Sequence, residues 1–177
     1  MGRRLVQALC TLAALFSAGA VQAHMMEAGH GAVRLVGDSA YLTVALPVAA
    51  LRGVDDNQDG LLDKAEIDTH RAEISAQVSV LLKLEHGGAE GRVIFEDFLL
   101  SHAHEAGAKG EATLVALRRY QWSVPLSSLG MKVGLFGTPA LADASLRVRA
   151  LEGKRSEVVV FSRQTTQHLF FAAAPAK

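Results

Sequence analysis

The chain has 177 residues, with 18 Lys and Arg balanced by 18 Asp and Glu, and a single cysteine. That length suits one domain. The neutral balance, with no basic stripe along the chain, argues against a nucleic-acid partner, and one cysteine excludes an internal disulfide framework.

Arg3 and Arg4 precede an apolar run, Leu5 to Phe16, interrupted only by Gln7 and Thr11; small residues follow as far as Val21-Gln22-Ala23. This is the layout of a cleaved secretory signal peptide over residues 1–23. The run is short for a membrane span. Cys10 lies inside it and is followed by further apolar sequence, which does not fit a lipidation site. Cleavage after Ala23 leaves one exported domain, residues 24–177, beginning at His24 and free of cysteine. Nothing after residue 23 is long and apolar enough to cross a bilayer, so the expected location is periplasmic or secreted.

Ala32 to Val36 and Tyr41 to Leu46 are β-prone and flank Gly37-Asp38-Ser39, which predicts a hairpin. Pro47 then opens a short helical segment, Val48 to Arg52, because proline suits a first helical turn. From Lys64 onward Ile67, Ile74, Val78 and Leu81 share one face of a helix. That helix gives way near Val80, where Leu82 and Leu84 begin to alternate with Lys83 and Glu85, and Gly87-Gly88 ends the segment. Candidate strands follow at Arg92 to Leu100, Ala112 to Val124, Met131 to Phe136, Ser145 to Leu151, Glu157 to Ser162 and His168 to Ala172. Trp122, Tyr120 and Phe136 lie on these strands and read as core. Short strands with turns between them predict a mostly β (α+β) fold, an antiparallel β-sandwich-like domain with an inserted EF-hand-type helix-loop-helix.

The loop of that insertion is Asp55-Asp56-Asn57-Gln58-Asp59-Gly60-Leu61-Leu62-Asp63-Lys64-Ala65-Glu66. Calcium is a hard cation that takes several oxygen ligands in a flexible shell. Asp55, Asn57 and Asp59 alternate and can converge on one point, and Gly60 permits the sharp turn. Leu61 offers its carbonyl oxygen, Asp63 binds directly or through water, and Glu66 closes the site with both carboxylate oxygens. Leu62 occupies the position of an apolar residue facing the core. The alternative is an acidic turn that starts a helix, a role in which Asp63 and Glu66 would also serve. The loop is alone in the sequence. Calcium-triggered opening of a Met-rich groove, the work of sensor EF-hands, is therefore not expected, and a structural ion is.

The order of hairpin, short helix, acidic loop, helix and strands ending in Val-Val-Val-Phe-Ser-Arg resembles the extracytoplasmic head of hydrogenase/urease accessory membrane proteins of the HupE/UreJ type. In layout the likeness spans about Tyr41 to Ser162, and it is specific around Leu46 to Arg71. In that family a His-rich membrane domain, thought to handle nickel or cobalt, follows the head. The sequence reaches Lys177 where that domain would begin, so transport is not carried over, and at most the resemblance implies a free-standing relative of the head.

His24, Met25, Met26, Glu27 and His30 crowd the expected mature N-terminus. A terminal amine with the imidazole of His24 chelates copper(II), and thioethers suit copper(I). This supports an alternative function: a periplasmic transition-metal protein, for copper or nickel, using His24 and His30. His102 and His104 share one face if they lie on a strand, but two histidines do not make a ligand set. His70 reads as a solvated helix residue. No nucleophile elbow, phosphate-binding loop or His-Glu-x-x-His motif is present, and no enzymatic activity is expected. The leading expectation is thus an exported calcium-binding protein, Ca2+ its one cofactor, serving as a binding module for a protein partner in the cell envelope.

Overall fold

A computed structural model describes residues 28–101 and 113–172. The expected signal peptide, His24 to Glu27, His102, His104 and the end of the tail lie outside these residues. Strands β1 (His30–Val36) and β2 (Ser39–Pro47) form the expected hairpin, turning at Gly37 with a φ of 60° that L side chains rarely adopt. A single 3₁₀ turn, Val48–Ala50, leads into the acidic loop, and helices α1 (Lys64–Thr69) and α2 (Arg71–Leu81) follow it. The chain continues through β3 (Leu82–His86), β4 (Ala89–Glu90), β5 (Arg92–Ser101), β6 (Thr113–Gln121) and β7 (Leu129–Val133). Two further 3₁₀ turns, Leu135–Gly137 and Pro139–Leu141, precede β8 (Leu146–Glu152), β9 (Arg155–Phe161) and β10 (Gln167–Phe170).

The strands make a six-stranded sheet in the order β5-β6-β2-β1-β8-β9 and a four-stranded sheet in the order β10-β7-β3-β4. The fold is mostly β and sandwich-like, as the strand spacing predicts. Every strand pair is antiparallel except β1 with β8, where His30 to Leu35 run parallel to Arg147 to Glu152. Alternation decides which face is buried. Val33, Leu35, Leu42, Val44, Leu114 and Ala116 of the large sheet point inward, and Leu82, Leu84, Leu129 and Met131 of the small sheet join them in one core. Helix α2 lays Ile74 and Val78, both fully buried, into that core. It is also tied to the sheet by Arg118 of β6, whose guanidinium pairs with Glu96 and donates to the Ser75 carbonyl (2.7 Å) and the Ser79 hydroxyl (3.0 Å).

Several boundaries differ from expectation. The helix-loop-helix is not formed: the segment before the loop is three residues of 3₁₀ turn, not an α-helix. Val48, Ala50, Leu51 and Val54 are all buried, so this stretch packs as core on several sides instead of presenting one amphipathic face. The helix after the loop is two helices, broken at His70 (φ −101°, ψ 18°). The strand expected over Met131 to Phe136 ends at Val133, and Phe136 reaches the core from a 3₁₀ turn. Trp122 lies just past the end of β6, still buried.

Candidate metal site

The acidic loop is pinned at both ends by apolar side chains. Val54 precedes it and Leu62 interrupts it, and both are buried in the core, so Leu62 sits as its position in the loop suggests. Residues 56–61 between these anchors are exposed. The turn uses a left-handed backbone at Gln58 (φ 58°) and at Gly60 (φ 79°). At Gly60 the absence of a Cβ makes that conformation inexpensive.

Within this turn the backbone amides aim the side-chain oxygens. Gly60 N–H donates to Asp55 Oδ2 (2.9 Å), Asp59 N–H to Asn57 Oδ1 (2.9 Å) and Leu61 N–H to Asp59 Oδ1 (2.8 Å). The Asn57 amide also donates to Asp59 Oδ2 (3.1 Å). Glu66 is buried, and its two oxygens accept from Asp56 N–H and Asp63 N–H, each at 2.9 Å. Asp63 returns the bond by accepting from Glu66 N–H (2.8 Å), which completes a capping box and starts α1. The acidic turn that starts a helix and the calcium-type loop are thus one structure in which Glu66 serves both.

Two features of this arrangement favour a cation. Asp55 Oδ1 is buried and has no hydrogen-bond partner, although the other oxygen of the same carboxylate is bonded. Among the described residues, none of Asp55, Asp59, Asp63 and Glu66 forms an ion pair with a basic side chain. A carboxylate oxygen removed from water without a partner costs free energy that only a donor or a cation can offset. Among the described residues no three His, Cys, Asp or Glu side chains gather closely enough to ligate one ion.

The expected ligands Asp55, Asn57, Asp59, Leu61, Asp63 and Glu66 all lie on this one turn, but two neighbours escaped sequence reasoning. His70 does not face solvent freely. Its Nε2 lies 2.9 Å from Asp56 Oδ1, which links the helix break to the second loop residue. Gln77 of α2 bonds both backbone groups of Arg52: it accepts from Arg52 N–H (2.8 Å) and donates to Arg52 C=O (2.9 Å). Both contacts brace the flanks of the loop, and at separations of 14 and 25 residues no sequence pattern announces them. Of the histidines in the alternative metal reading, His30 is exposed at the start of β1. His86 and His168 are engaged elsewhere, with the Ser128 carbonyl (2.9 Å) and the Glu157 carboxylate (2.7 Å).

No protein-family model matches the chain. A search of curated proteins finds no match either.

Proposed function

We propose that this protein is an exported calcium-binding domain in which the ion is a structural clip, stabilising a surface through which the domain binds a partner in the cell envelope. The observation that carries the calcium reading is the buried, unpartnered Asp55 Oδ1 at the first position of a loop whose Asn57, Asp59, Asp63 and Glu66 side-chain oxygens accept backbone N–H groups. The residues that would hold the ion are Asp55, Asn57, Asp59, Asp63 and Glu66 through side-chain oxygens and Leu61 through its carbonyl. The ion supplies positive charge where four carboxylates have no basic partner among the described residues. Each carboxylate oxygen in the loop that already accepts an N–H keeps a second lone pair for the ion. The support is therefore local, from loop geometry and charge. The exported location rests on the signal-like N-terminal sequence.

Such a clip would join the end of β2 to α1, the two elements on either side of the loop. Extracellular calcium modules bind at roughly 10⁻⁴ to 10⁻³ M. The test is isothermal titration of the purified protein with calcium and, separately, magnesium, alongside Glu66→Gln. Millimolar calcium binds with one-to-one stoichiometry, magnesium binds more weakly because it demands a stricter octahedron, and Glu66→Gln loses most of the affinity. Absence of a calcium isotherm up to about 10 mM, an order of magnitude above the range for such modules, would sink the proposal.

A further inference from the structure

We propose that the outer face of the six-stranded sheet docks on an anionic phospholipid surface. The face is defined by register. One cross-strand row reads Phe95, Arg119, Tyr41, Arg34, Leu151 from β5 to β8. In the neighbouring rows Arg149 stands between Ala32 and Val158, and Arg147 between His30 and Val160. These residues alternate with the inward set of the same strands, so they share the side of the sheet turned away from the core.

The chemistry of this face differs from that of the chain as a whole. The chain is neutral, yet the face carries Arg34, Arg119, Arg147 and Arg149, and none of them forms an ion pair among the described residues. The carboxylate on these rows, Asp97, is matched by Arg71 at 3.3 Å. Asp38 lies at the rim, held by Gln121 and Ser39. The same face exposes Val36, Tyr41, Phe95, Leu99, Val158 and Val160, each at least 39% accessible; these are half of the twelve large apolar side chains exposed among the described residues.

Charge complementarity and shape select the occupant. A second copy of the same face is disfavoured because four arginines would meet four. A single-stranded nucleic acid would need aromatic platforms for its bases. Here Tyr41 already lies against Arg119 (5.4 Å from guanidinium carbon to ring centre), and the other apolar side chains are mostly aliphatic. The exposed apolar side chains are spread over β1, β2, β5 and β9, from one edge of the sheet to the other, which suits a broad occupant more than a single peptide strand. Arginine with interspersed aliphatics on a broad sheet face suits a fluid anionic bilayer: the stems lie among the acyl boundary while the guanidinium forks bond phosphate. No helix among the described residues is long and apolar enough to cross a membrane, and the proposed attachment uses the sheet face alone.

The test is co-sedimentation of the purified protein, in the form the cell accumulates, with vesicles containing phosphatidylglycerol and with pure phosphatidylcholine vesicles. Both arms contain chelator, so the outcome does not depend on the calcium loop. Binding to the anionic vesicles exceeds that to the neutral ones and weakens as salt shortens the screening length from about 10 Å at 0.1 M to about 3 Å at 1 M. Each arginine at such a surface contributes roughly a fivefold gain, so Arg34→Gln/Arg147→Gln/Arg149→Gln lowers partitioning by roughly a hundredfold. Lys64→Gln/Lys83→Gln/Lys132→Gln removes the same charge from helix α1 and the small sheet and leaves binding within about twofold. Near-ultraviolet circular dichroism verifies that both variants are folded. Equal binding to the two lipids, retention by the face variant, equal loss in the other variant, or capture of an acidic polypeptide or an oligonucleotide in place of vesicles each overturns the proposal.

Discussion

Asp55→Asn is the most informative single substitution, because its effect should change sign with calcium. The wild-type carboxylate has one oxygen bonded to Gly60 N–H and the other buried without a partner. Asparagine keeps an oxygen for Gly60 and replaces the unpartnered anionic oxygen with a neutral amide group, which costs less to bury than a charge. An unsatisfied buried polar group costs about 1–3 kcal/mol, and Asp55 is half-buried, so the lower end applies. In chelator the variant should therefore be more stable by about 1 kcal/mol, which raises Tm by about 2–4 °C for a domain of this size. In calcium at about a hundred times Kd the wild type gains about 2.7 kcal/mol. A variant that has lost the ion then falls below it by about 1.7 kcal/mol, the difference between that gain and its own advantage. Thermal melts of both proteins in chelator and in saturating calcium measure all four values. If Asp55→Asn is destabilising by the same amount in both conditions, Asp55 Oδ1 is a structural acceptor and the argument from its isolation fails.

Two further outcomes follow from the buried charges and from the small-sheet edge. Arg118→Met strands Glu96, whose side chain is 15% accessible, and should cost about 3 kcal/mol in urea unfolding; Arg118→Met/Glu96→Leu should recover most of that. A double variant no better than the single would assign the stabilisation to the bonds with Ser75 and Ser79. Glu157 accepts from Phe171 N–H (2.9 Å) and lies 2.7 Å from His168 Nε2, and the Phe171 bond first, then His168, hold its carboxyl below the ordinary value of 4.5. A depressed carboxyl contributes stability that is complete above its unfolded value and lost as pH falls through the folded one. Glu157→Gln should thus be less stable than wild type at pH 7, with the gap closing below about pH 4; a gap unchanged between pH 7 and pH 3 would refute the linkage.

Much of the molecule is local in origin and was legible as such. Alternation marked the strands, glycine marked the hairpin turns, and the spacing of Asp55, Asn57, Asp59, Gly60 and Glu66 marked a loop whose amides do converge on its side-chain oxygens. These patterns need only neighbours a few residues away. The misreadings came where packing overrode local preference. The stretch after Pro47 has helical propensity but is buried on several sides, so it takes one 3₁₀ turn. The single helix foreseen after the loop divides at His70, whose ring is drawn to Asp56.

The sequence by itself determined the composition of the loop, the period of each strand and the balance of charge. Tertiary structure decided how these were distributed in space. Parallel pairing of β1 with β8 joins strands more than a hundred residues apart, and it is this pairing that sets Arg147 and Arg149 on the strand next to Arg34, opposite His30 and Ala32. Residues scattered through a neutral chain with no basic stripe become one arginine-bearing face because each strand turns alternate side chains the same way and register brings them together. The brace of Gln77 on Arg52 and the burial of Arg118 under α2 have the same origin. A hydrogen bond or an ion pair between distant residues exists only after the chain has closed the loop between them, so no local pattern encodes it.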